Sequence, residues 1–136
     1  MFRTLLGSIV VGAIAAVGCS SGGPGTTVGV AMTDTSITVA APSAPAGSIT
    51  FEPKNDGTET HELYVFQTDL PADQLPVAEG KVPESADGVT FIAEVEDIAP
   101  ATTGTLTVSL SAGNYVLLCN TVDHYTDGMR APFTVT

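Results

Sequence analysis

The chain has 136 residues, with 15 Asp and Glu against 4 Lys and Arg, and a formal net charge of −11. The first eighteen residues hold Arg3 and no acid, so the rest has three cations against fifteen acids, a net −12. That surface excludes nucleic acid as a partner, because such affinity comes from basic side chains neutralising phosphate.

Residues 1–18 read as a leader rather than as part of the fold. Arg3 is followed by Leu5–Val17, thirteen uncharged apolar residues. That run is short for a bilayer-spanning helix and matches the apolar core of a signal peptide. It ends Ala16-Val17-Gly18-Cys19, small residues directly before a cysteine. The pattern resembles a bacterial lipoprotein signal, which implies that Cys19 is lipidated and becomes the new first residue. Ala16 stands where such signals usually carry Leu, and an ordinary secretory signal is the plainer alternative. Residues 19–27, rich in Ser, Gly and Thr, read as a flexible tether. The expectation is a head lipid-anchored to a membrane of the cell envelope, facing the periplasm or the exterior. Several acyl chains, as the resemblance implies, would hold it stably.

Residues 28–136 amount to one domain. Helical periodicity is missing and alternation dominates. The expected strands are Val28–Met32, Ser36–Val39, Ser48–Phe51, Glu62–Phe66, Val89–Val95, Thr105–Leu110, Tyr115–Leu118 and Ala131–Val135. Turn signals at 41–47, Asn55-Asp56-Gly57, Ala99-Pro100 and Ser111-Ala112-Gly113 separate them. About eight short strands with such turns predict an antiparallel sandwich or barrel. Tyr115–Leu118 is apolar on both faces, which predicts a central strand. Thr68–Gly88, with three prolines and many charges, reads as a surface excursion with one short helical turn.

The chemistry concentrates near the end of the chain. Cys119 closes an apolar strand, His124 follows five residues later, and Met129 five beyond that. His61, the one other histidine, heads an earlier strand. Taken singly, a Cys at a strand end or a Met near a domain end is usually packing. Together they make two imidazoles, a thiolate and a thioether, the ligand set of a mononuclear blue-copper site. Four residues between Cys119 and His124 allow a loop that folds back on the sulfur. Gly128 permits a second turn that swings in Met129. If Cys19 is lipidated, Cys119 is a lone exported thiol that needs a reason; a Cys19–Cys119 disulfide is the competing one. Zinc is disfavoured because a structural site wants four strong ligands. Two histidines are too few for a trinuclear or second copper centre, which excludes a multicopper oxidase or copper nitrite reductase. A Cys–His nucleophile is disfavoured because no Asn or Asp orienter stands out.

Two segments carry a family resemblance. They are Asn55-Asp-Gly-Thr-Glu-Thr-His61-Glu62 and Gly113-x-Tyr115-x-Leu117-x-Cys119-Asn120-x-x-x-His124-Tyr125-x-x-Gly128-Met129. The chain resembles the cupredoxins, small type 1 blue copper proteins such as plastocyanin, azurin, auracyanin and rusticyanin. The two four-residue gaps look closer to auracyanin and rusticyanin than to plastocyanin. The resemblance implies an all-β, eight-stranded antiparallel Greek-key β-sandwich. It also implies one copper ion on His61, Cys119, His124 and Met129, with His124 as the electron port. Two positions depart from the family: Glu62 stands where many members have Asn, and Asp123 where auracyanin-like loops carry Gly. Negative charge at both would favour Cu(II) and lower the reduction potential.

The leading functional expectation is one-electron transfer rather than enzymatic turnover, by a monomer with redox partner proteins that present a basic docking surface. The alternative is a lipoprotein for copper handling, as chaperone, buffer or resistance factor. Such proteins usually carry several Met or Cys, and here the one Met between the leader and Met129 is Met32. A structural lipoprotein is the bland third possibility.

Overall fold

The structure, a computed structural model, describes residues 24–136. The expected leader, Cys19 and most of the expected tether lie outside the described residues. Ten strands and one helical turn follow in order: β1 (Thr26–Met32), β2 (Ile37–Val39), β3 (Ser43–Ala44), β4 (Gly47–Asn55), β5 (His61–Gln67), β6 (Ser85–Ala86), β7 (Val89–Ile98), β8 (Leu106–Leu110), β9 (Gly113–Leu118), α1 (His124–Asp127) and β10 (Arg130–Val135). Among the described residues no helix is long and apolar enough to cross a membrane.

The strands form a four-stranded sheet, β2-β1-β4-β8, and a six-stranded sheet, β3-β10-β9-β5-β7-β6. All eight expected strands are present, and their alternation sets the inner face. Val28, Val30 and Met32 of β1 and Ile49 and Phe51 of β4 point inward while their neighbours are more exposed. β9 lies between β10 and β5, as a strand apolar on both faces must.

The sheets are mixed rather than wholly antiparallel: β1 pairs with β4, and β10 with β3, in parallel. The chain leaves β1 through β2, crosses to the other sheet at β3 and returns as β4. That crossover is long enough to bring β4 back in the direction of β1. The two-residue strands β3 and β6 arise inside segments read as turn and excursion.

The sheets enclose one core, in which Phe51 of β4 meets Phe133 of β10 edge-to-face at 5.2 Å between centroids. Burying an aromatic ring of this kind contributes roughly 1.5–3 kcal/mol. Cys119 and Met129 belong to this same core. The stretch between β5 and β7 is more than a surface excursion. Leu75 and Val82 pack with Phe66, Val116, Leu118 and Tyr125 in a second cluster on the outer face of the larger sheet. Its expected helical turn is a single hydrogen bond, from the Gln74 amide to the Pro71 carbonyl at 2.9 Å. The helical turn of the fold, α1, lies instead between Cys119 and Met129.

Candidate metal centre

The sandwich brings His61, Cys119 and His124 together at one end of the core. Cys119 follows β9 directly, so the sheet fixes its sulfur. His61 begins β5, where the register with β7 shifts between His61 and Leu63. Such a bulge re-aims a side chain at the end of a strand. The Nδ1 atoms of the two histidines are 3.3 Å apart. Cys119 Sγ lies 3.5 Å from His124 Nδ1 and 3.8 Å from His61 Nδ1. A point equidistant from three atoms at these separations lies about 2 Å from each, the bond length of nitrogen or sulfur to a late first-row metal ion. The donor set therefore fits such an ion.

The centre is dry. Cys119 and Met129 are 0 % exposed, and so is the His61 side chain. The His124 side chain is 11 % exposed, the one of the four that reaches the surface. Exposed Val122 lies two residues from it. Met129 is held beside the cluster through its backbone: its amide donates to the His124 carbonyl at 3.0 Å, and its carbonyl accepts from the Cys119 amide at 3.1 Å.

Burial pushes the Cys119 thiol up, while the Glu62 amide, 3.4 Å from Sγ, and Thr121 act the other way. A bare thiolate is disfavoured here, and a bound cation would be what makes it stable. Burial also pushes the His61 imidazole below its ordinary value, which favours the neutral ring that a metal needs.

Both histidines point Nε2 away from the cluster and toward a carboxylate. His61 Nε2 is 3.1 Å from Asp34 Oδ1, and His124 Nε2 is 3.4 Å from Glu59 Oε2. Asp34 sits in the turn between β1 and β2. It accepts from the Thr58 hydroxyl at 2.8 Å, from the Thr58 amide and from the Glu59 amide, and these bonds, led by the hydroxyl, lower its carboxyl to about 2. Neither carboxylate was legible from spacing, since Asp34 lies 27 residues before His61 in a run that reads as an ordinary polar turn. Asp34 is also the orienter that the sequence did not reveal for a Cys–His pair. A nucleophile nonetheless needs an accessible sulfur, and Cys119 is buried.

The loops are held by buried polar side chains. Asn55, fully buried, donates to the carbonyls of Glu59 and Ile98 at 2.7 and 2.9 Å and accepts from the Gly57 amide at 2.9 Å. Asn120 exchanges two hydrogen bonds with the backbone of Val82. Tyr125 donates to the Ala72 carbonyl and accepts from the Leu75 amide. Asp123 adopts φ +68° at the start of α1. This left-handed backbone suits glycine and tolerates aspartate, which accounts for Asp at a position where glycine is expected. Glu62 is half-buried, its Oε1 finds no hydrogen-bond partner, and burial pushes its carboxyl up.

Neither a protein-family model nor a curated protein matches the sequence. Solved structures do match. Dithionite-reduced auracyanin from the photosynthetic bacterium Roseiflexus castenholzii is 23 % identical, with TM-score 0.59, over 82 % of this chain and 97 % of that one. Auracyanin A, a blue copper protein of Chloroflexus aurantiacus, is 17 % identical, with TM-score 0.58, over 82 % and 99 %. Rusticyanin of Thiobacillus ferrooxidans is 18 % identical, with TM-score 0.59, over 84 % and 79 %. The chain has the cupredoxin fold. In this cupredoxin sandwich the His–Cys–His cluster is built from the end of β9, the head of β5 and the loop holding α1.

Two substitutions probe the loops. Gly128 has φ +122°, and a Cβ there would lie 2.5 Å from the Thr35 carbonyl oxygen. Gly128→Ala is expected to cost about 1–3 kcal/mol of stability. Urea unfolding of the metal-free protein checks this; a loss under about 0.5 kcal/mol, the range of ordinary surface changes, would show that the contact is easily relieved. Glu62→Asn tests the expected charge effect at the sulfur. Redox titration of the copper-loaded variant should give a higher midpoint potential, and a midpoint that stays or falls overturns that expectation.

Proposed function

We propose that this protein is a type 1 blue copper protein that carries single electrons at the outer face of a bacterial membrane. The observation that supports it most is the convergence of two imidazole Nδ1 atoms and one thiol sulfur, within 3.8 Å of one another, in a dry end of the fold. His61, Cys119 and His124 would hold the copper, with the Met129 thioether as a further, weaker donor. Bound there, copper supplies a one-electron couple between Cu(II) and Cu(I).

The chain's own residues supply the rest. β9 and the Glu62 amide hold the Cys119 sulfur in place in either oxidation state. Asn55 and Asn120 fix the loops on each side, so little rearranges when charge changes. The buried walls exclude water. His124, partly exposed beside Val122, offers the shortest path from the site to a docked partner.

Burial argues against copper handling as the main role. A donor hands its metal on by ligand exchange, and here two of the three converging side chains are fully enclosed. The lipoprotein-like leader supports a tethered head in the cell envelope. The net charge of −12 beyond the leader supports basic redox partners, because long-range attraction speeds their encounter.

Two measurements test this reading. The chain from Ser20 onward, loaded with Cu(II), should show an intense visible thiolate-to-copper band that ascorbate bleaches and oxidant restores. Cys119→Ala should abolish the band with the fold kept. Copper lost on reduction would favour copper handling instead. Stopped-flow oxidation of the reduced protein by cationic and anionic small complexes of matched potential tests the surface. The cationic complex should react faster, and the gap should shrink as salt rises from 0.01 to 1 M. Equal rates at low salt would remove the electrostatic argument for basic partners.

A further inference from the structure

We propose that Asp34 and Glu59 are positioning residues of the metal centre: each pairs with the outer nitrogen of one histidine, and together they aim both Nδ1 atoms inward and bias the site toward Cu(II). The inference rests on the copper reading for its redox part and on the metal-free geometry for the rest.

A carboxylate accepts hydrogen bonds and does not donate them. With Asp34 Oδ1 3.1 Å from His61 Nε2, that nitrogen carries the proton and Nδ1 keeps a free lone pair, which faces Cys119 and His124. Glu59 Oε2 lies 3.4 Å from His124 Nε2, a charge contact rather than a directed hydrogen bond, so it biases the second ring in the same sense but more weakly. The two pairs are mechanically linked. Asp34 accepts from the Thr58 amide at 2.9 Å and the Glu59 amide at 3.2 Å, so the carboxylate that orients His61 also holds the backbone that presents Glu59. Gly57 lies where a Cβ would run into the Asp34 carboxylate, so the turn closes tightly on it.

Turn capping alone would account for the bonds to Thr58 and Glu59. It does not account for a carboxylate on the outer nitrogen of each of the two histidines. Outer carboxylates of this kind fix ring orientation and raise ligand basicity, and losing one typically costs 10–100-fold in metal affinity. Their negative charge favours the more positive oxidation state, so each lowers the reduction potential. Asp34 is about one-third exposed and Glu59 more than half, so Asp34 should act more strongly and be screened less.

The test compares wild type with Asp34→Asn and Glu59→Gln, each of which removes charge and keeps an acceptor oxygen. Unfolding of the metal-free variants monitors the fold, and exposed Glu59 should leave it unchanged. Asp34→Asn is expected to weaken Cu(II) binding 10–100-fold and Cu(I) binding less. Each tenfold loss of preference for Cu(II) raises the one-electron midpoint by about 59 mV. Glu59→Gln should shift the midpoint in the same direction by less, and its shift should vanish in 1 M salt while that of Asp34→Asn persists. Midpoints and affinities equal to wild type in both variants overturn the proposal; a shift in one variant alone removes the other residue from it. If wild type shows no thiolate band, the copper reading fails by itself. The lock is then read in the metal-free protein by nitrogen NMR. His61 protonated on Nε2 supports it, and His61 protonated on Nδ1 overturns it.

Discussion

A thiol buried at the end of a central strand is the constraint around which this end of the molecule is built. Removing Cys119 from water disfavours its charged form, and among the described residues no lysine or arginine is a leading influence that compensates. What faces the sulfur is an amide, a hydroxyl and two imidazoles. Those groups can tolerate a thiolate, and a metal ion on the same donors would make it the favoured form. The architecture follows from that need. β9 is buried on both faces, so the sulfur cannot retreat, and the loops must come to it.

Three loops do so, and they depend on one another. The loop before β5 brings His61 and is tied down by Asn55. The loop after Cys119 contains α1 and brings His124 and Met129. The turn between β1 and β2 touches both: Asp34 reaches Thr58, Glu59 and His61, while the Thr35 carbonyl lies against Gly128. Outside the larger sheet, the stretch between β5 and β7 braces α1 through Asn120, Asp123 and Tyr125. A segment that reads as a polar detour is thus part of the scaffold that keeps the ligands still.

Charge near the centre is sorted by exposure. Glu62, adjacent to His61 and half-buried, has an oxygen without a hydrogen-bond partner, and burial works against its ionisation. Asp34, in a turn of amide and hydroxyl donors, is held ionised. The acid that stands out in the sequence beside the histidine is therefore the less secure source of negative charge. The acid that does not stand out is the better placed one.

Much of this was determined by the sequence alone. Alternation and apolar runs marked the eight main strands, and in β1 and β4 a period of two places every other side chain in the core. The spacing of Cys119, His124 and Met129 placed those residues on one loop, and the chain's other histidine had to come from elsewhere in the fold. Pairing direction, the lid over the larger sheet and the partners of the imidazoles were decided only by tertiary structure. The parallel pairings depend on where the chain crosses between sheets. Leu75 and Val82 are too sparse in a proline-rich stretch to betray the face they cover. Asp34 meets His61 across 27 residues of chain through a single carboxylate contact. Periodicity reports on residues that share an element; a contact between two turns leaves no period behind, and folding alone brings them together.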